Sequence, residues 1–165
     1  MKPGLRVPTF ISAFVLLVLA LVPACRAQFS PDASTASALS IPQAQLVQPE
    51  ALNRVLREAN SRGPVILQVG SHVMFQQAHI PGSVYAGPGS QAEGLQLLES
   101  KVAKLAKNRS IVLYCGCCPW TRCPNVGPAY ERLRKLGFTQ VKVLYIENNF
   151  GADWVNKGYL VDHGE

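Results

Sequence analysis

The stretch SIVLYCGCCPWTRCPN, residues 110–125, decides how the chain is read. After Ser110 come four apolar residues without interruption, Ile111–Tyr114, as in a parallel strand covered on both faces. Cysteines then crowd in: four of the chain's five, Cys115, Cys117, Cys118 and Cys123, fall within nine residues. A helical pattern follows over about 126–136, with Gly137 as its stop. A strand running through a loop into a helix is where open α/β sheets bind ligands, at the carboxyl ends of their strands. Loop amides and the helix N-terminus make such a place electropositive, which lowers a thiol pKa and creates a nucleophile.

Outward from this loop, strands and helices alternate. Pro64–Val69 (PVILQV) is a further apolar run of strand length, Val141–Tyr145 is another expected strand, and Ser83–Ala86 a short one. Helical spacing covers the stretch after Pro49, with Leu52, Val55 and Leu56 on one face and Gly63 at its end. A second helix is expected over 90–107, with Leu95, Leu98, Val102 and Leu105 aligned, and a short one over 71–78. The fold class is therefore α/β with a parallel sheet.

The N-terminal third is different. Lys2 and Arg6 precede the apolar run Phe10–Leu21, which is short for a membrane span, and a small-residue cut site closes at Ala27. Residues 1–27 are expected to be a secretory signal. Cys25, after Val22-Pro23-Ala24, leaves open a lipoprotein anchor, the only route to membrane attachment. The expected compartment is a bacterial periplasm, where thiols meet oxidants. Residues 28–46, rich in Ser, Ala, Gln and Pro, are expected to be a tether, and 47–165 the folded domain. The formal charge is +6, and half of that excess lies in the leader as Lys2, Arg6 and Arg26. The remainder is too mildly basic to call for nucleic acid. Length excludes a multidomain enzyme.

The chain resembles the rhodanese-like (sulfurtransferase) domain family. The resemblance rests on Ala78-His79-Ile80-Pro81-Gly82-Ser83, on the strand ending at Cys115, on Leu136-Gly137-Phe138, and on Trp154 with Gly158-Tyr159. It spans about residues 48–162. A secreted subgroup with a Cys-Gly-Cys-Cys-Pro loop is also similar. The resemblance implies a sheet of about five parallel strands with helices on both faces. It also implies a cysteine that takes sulfane sulfur from an anion such as thiosulfate, holds it as a persulfide, and passes it to a thiol or cyanide. No cofactor is implied.

Three departures from the family pattern stand out. Gln68-Val69-Gly70 replaces an acid and a base at the first core strand's end, and Asn148-Asn149 replaces a glycine pair. The loop is also longer than usual. Cys115 holds the position after the strand and is the first choice of nucleophile, while Cys117 fits the family's spacing to Arg122 better. A phosphatase would need its cysteine six residues before Arg122, where Gly116 stands. Arg122 is the loop's one cation, suited to an anionic donor. Gly116 and Trp120 are candidate substrate contacts, with Trp120 equally suited to packing the loop. Cys117, Cys118 and Cys123 are candidate resolving or redox cysteines. Alternatively, Cys115, Cys117, Cys118 and Cys123 offer soft ligands to Zn(II) or Cu(I). His79 suits a turn better than a general base, Trp154 reads as core, and His72 and His163 as solvent-facing.

Overall fold

A computed structural model of the chain describes residues 41–58 and 63–164, together with Met1 and Gly4. The expected signal sequence and most of the expected tether lie outside the described residues. Among those described, no helix is long and apolar enough to cross a membrane.

Five strands form one sheet: β1 (Leu46–Val47), β2 (Val65–Gln68), β3 (Val84–Tyr85), β4 (Ile111–Tyr114) and β5 (Val141–Leu144). Their spatial order is β1-β5-β4-β2-β3, and every pairing is parallel. Among the described residues five α-helices connect and flank them: α1 (Pro49–Glu58), α2 (His72–Gln77), α3 (Ala92–Val102), α4 (Val126–Lys135) and α5 (Phe150–Asp153). The α/β parallel sheet expected from the sequence is what forms.

Alternation along the buried strands builds two cores. Leu67, Ile111, Leu113, Val141 and Val143 pack with Leu98 and Val102 of α3 and Ala129 and Leu133 of α4. Ile66, Val112, Tyr114 and Leu144 pack with Leu52 of α1 and Phe150 of α5 on the opposite face. Trp154, fully buried, joins the second core, and its indole N–H donates to Leu160 O at 2.8 Å. Gly137, at φ 87°, ends the α4 turn in the left-handed region that glycine reaches without strain.

Three expectations need correction. The stretch read as a tether reaches into the fold: Ile41 is buried in the first core, and Leu46, its last residue, opens β1, paired with Val143 of β5. Two apolar residues suffice there because the rest of the pairing comes from β5. In α1, Val55 turns outward at 44% exposure, and buried Asn53 takes its place, accepting a hydrogen bond from Leu160 N–H at 3.3 Å. The helix expected over 90–107 stops at Val102, although Leu105 still packs on the core through a turn closed by Leu105 N–H to Val102 O at 3.0 Å.

Candidate functional site

The cysteine loop leaves the carboxyl end of β4, the central strand. Gly116 comes first, at φ 76°, and a Cβ on it would meet Phe150 Cβ at 2.8 Å. Glycine is therefore required both by conformation and by space. The loop is tied to the segment after β5 by two backbone hydrogen bonds, Phe150 N–H to Gly116 O at 2.9 Å and Trp120 N–H to Glu147 O at 3.0 Å. A short 3₁₀ turn, Trp120–Arg122, then leads to α4.

This path gathers three sulfurs. Cys115 Sγ lies 2.8 Å from Cys117 Sγ, and Cys117 Sγ lies 3.3 Å from Cys118 Sγ. All three sit within 4.8 Å of one another. Cys123 is buried nearby, outside that triangle, and all four thiols are free. Asn125, the residue before α4, does not cap the helix with its side chain. Its amide oxygen instead accepts from Ser90 N–H at 3.1 Å and Ser90 Oγ–H at 2.8 Å. Both donors fix the amide's orientation, so its NH₂ faces the sulfurs, at 3.3 Å from Cys115 Sγ and 3.7 Å from Cys117 Sγ. Nothing in the sequence reading singled out Asn125. The available signal was an asparagine just before a helix, which ordinarily means only a cap.

Neighbouring thiols cannot all ionise, and their surroundings divide the charge. Hydrogen bonds from Cys115 and Cys118 and from the Asn125 amide bring Cys117 down to about 6, against the cost of its partial burial. Cys115 is pushed strongly up, because its single S–H proton is held against the Cys117 sulfur, with Cys123 as a second acceptor beside it, and because it is buried at 4% exposure. Burial and the bond to Cys117 raise Cys118 to about 12. Cys123 falls to about 6 through its bond with Cys115 and the backbone N–H groups of Val126 and Asn125 at the start of α4.

Gln68 explains the first departure from the family pattern. Almost fully buried, it donates from Nε2 to Cys115 O at 3.2 Å and accepts from Gly70 N–H at 3.1 Å. One neutral amide therefore clamps the end of β2 to the end of β4. A Cβ on Gly70 would lie 3.0 Å from both Cys115 O and Cys115 Sγ, so the glycine makes room for the sulfur. Asn149, in the glycine-pair position, caps α5 by accepting from Ala152 N–H at 2.9 Å.

The other candidates are placed as follows. A cavity of about 220 Å³ opens beside Cys115 and Gly116, with Gln68, Met74, Asn149 and Phe150 among its walls. A larger one, about 360 Å³ between Gln48, Glu50, Tyr145 and Lys157, contains no cysteine; chemistry favours the smaller. Trp120 lines neither: it is buried against Tyr145, ring centroids 5.2 Å apart, and so packs the loop. Arg122 is exposed, and among the described residues nothing accepts a hydrogen bond from its guanidinium. His79 is structural. Its ring stacks on Phe75 at 4.0 Å, Nδ1 hydrogen-bonds to Phe75 O at 2.8 Å, and its backbone pairs with Asp162. The adjacent Ile80 N–H donates to Tyr114 Oη at 3.2 Å, joining the HIPG turn to β4. His163 is exposed and bonded to Gln77 O at 2.6 Å. His72, expected in solvent, is half-buried against Tyr85 at 4.5 Å.

A profile of the rhodanese-like domain matches residues 49–145, more than half of the sequence. The chain belongs to the rhodanese-like domain family. Solved structures agree on the fold. A protein from Bacillus halodurans superposes with a TM-score of 0.55 at 20% identity, over 71% of this chain and 75% of that one. The rhodanese-like domain of an Anabaena protein gives 0.53 at 20%, over 72% and 79%. An anaerobic ergothioneine biosynthesis enzyme from Chlorobium limicola, solved with trimethyl histidine, gives 0.53 at 20%, over 72% of this chain and 28% of that enzyme. No curated protein sequence matches. For this rhodanese-like chain the relatives establish the architecture.

Proposed function

We propose that the protein is a sulfurtransferase whose cysteine loop carries sulfane sulfur as a persulfide. The observation that carries this reading is the sulfur pair Cys115–Cys117 at the end of the central strand, faced by the Asn125 amide, with Cys115 lining a cavity. Cys117 is the attacking thiolate. It is only half-buried, and Cys115, Cys118 and Asn125 all direct donors at its sulfur. Cys115, the first choice on position alone, is nearly sealed and serves as the proton donor that holds the Cys117 charge.

With thiosulfate, the Cys117 thiolate attacks the outer sulfur. A new S–S bond forms, the bond to the sulfonate sulfur breaks, and its electron pair leaves with sulfite. An acceptor thiolate or cyanide then attacks the terminal persulfide sulfur, and the Cys117 thiolate departs. Exposed Arg122 draws the anionic donor to the loop. The 2.8 Å spacing supports a second exit: Cys115 displaces hydrosulfide from the Cys117 persulfide and forms a disulfide, which an external thiol reduces. Lys2, Arg6 and the apolar run after them support secretion, so we place this chemistry outside the cytoplasm.

Intact mass of the reduced chain, with and without thiosulfate, tests the proposal. One added sulfur atom, removed by cyanide, present in Cys115→Ala and missing in Cys117→Ala, is the expected result. Gain lost only in Cys115→Ala moves the nucleophile to Cys115 and leaves the activity standing. No gain in the unaltered protein overturns the sulfurtransferase reading.

A further inference from the structure

We propose that Cys115, Cys117 and Cys118 form a three-sulfur site for one Cu(I) ion. Three sulfurs sharing an ion at about 2.3 Å sit about 4 Å apart. Here the three lie within 4.8 Å, the closest pairs at 2.8 and 3.3 Å, so small side-chain rotations set the ion's geometry. No backbone rearrangement is called for, because the loop path already gathers them.

The donor set selects the metal. Thiolates favour soft ions, chiefly Cu(I), whereas structural Zn(II) takes four ligands. The group contains three sulfurs, with neither imidazole nor carboxylate. The fourth cysteine, Cys123, hydrogen-bonds to Cys115 but does not come within 4.8 Å of all three sulfurs, so a four-sulfur shell needs it to move while a three-sulfur shell does not. His79 is engaged with Phe75 and His163 with Gln77, so neither completes a tetrahedron. Asn125 supplies the outer support: its amide N–H bonds persist toward metal-bound thiolates, offsetting part of their negative charge. Binding exchanges thiol protons for Cu(I), with no change of oxidation state.

The site stands whether or not the sulfurtransferase reading does, but the two uses compete for Cys117. A copper-loaded chain cannot take sulfur from thiosulfate.

The test is an anaerobic titration of the full reduced chain with Cu(I) against the chelator bicinchoninate, followed by X-ray absorption. One Cu(I) per chain withdrawn from the chelator, surrounded by three sulfurs at about 2.3 Å, is expected. Cys118→Ser should weaken binding by more than about 10-fold, while Cys123→Ser keeps the stoichiometry and the three-sulfur shell. No copper withdrawn, a Cys118→Ser affinity equal to the parent's, or displacement by equimolar Zn(II) overturns the site. If a variant loses its circular dichroism signal, the sulfur count in the unaltered protein decides: three supports the proposal, two or four refutes it. Sulfur loading is measured on copper-free protein, so failure of that activity leaves this result untouched.

Discussion

Cys117 shows what surroundings do to a single side chain. Its thiol falls from an ordinary 9.0 to about 6 because the charged form gains donors from two thiols and an amide. The thiolate fraction therefore rises as pH passes through about 6 and is nearly complete at neutrality. Alkylation by iodoacetamide, mapped by peptide mass, should reach half its maximal rate at Cys117 near pH 6, while Cys118, pushed to about 12, stays slow throughout. Asn125→Ala removes the amide donor, so the Cys117 midpoint should move toward 9; an unmoved midpoint would show that the neighbouring thiols alone hold the charge. Much at this scale was legible in the sequence. Cysteine density pointed to Cys115, Cys117, Cys118 and Cys123, and a turn role for His79 follows from HIPG. What was not legible is which sulfurs meet. Spacing made all four cysteines equivalent ligands, yet the turn at Trp120–Arg122 carries Cys123 outside the triangle. Asn125 was hidden because its importance depends on Ser90, 35 positions away.

At the scale of elements, Gly94 in α3 sets helix propensity against packing. Alanine is the better helix former by about 1 kcal/mol. A Cβ at Gly94, however, would overlap Pro88 O, the carbonyl before the helix. Backbone cannot yield as a flexible side chain does, so Gly94→Ala should destabilise the protein by about 1–3 kcal/mol, measured by urea unfolding. Stabilisation would show that the 87–91 turn shifts freely. Asn149→Ala removes the α5 cap and should cost about 1 kcal/mol by the same measurement. The central strands were readable because apolar runs at 64–69 and 111–114 mark strands covered on both faces, and β5 follows the same pattern apart from exposed Lys142. β1 was not. Two residues have no period, and Leu46–Val47 follows a Ser-, Ala-, Gln- and Pro-rich stretch that reads as linker.

For the whole molecule, that missed strand sets where the fold begins. Ile41 is buried and Leu46–Val47 covers the edge of β5. A chain starting at Ala36 should keep the parent urea midpoint. One starting at Gln48 should lose about 2–4 kcal/mol, from buried Ile41 and half-buried Leu46 and Val47 leaving the cores, and should associate through the bare β5 edge. Equal midpoints would return residues 41–46 to the tether.

The two backbone bonds from Phe150 and Trp120 that tie the cysteine loop to the segment after β5 use no side-chain atoms. They hold the loop's course whatever its cysteines carry: a proton, a second sulfur or a metal. The amide hydrogens of Trp120 and Phe150 thus become built-in clocks. Their exchange with deuterium should stay slow and alike across reduced, sulfur-loaded and copper-loaded protein, marking chemistry that changes the cargo of a frame without loosening it.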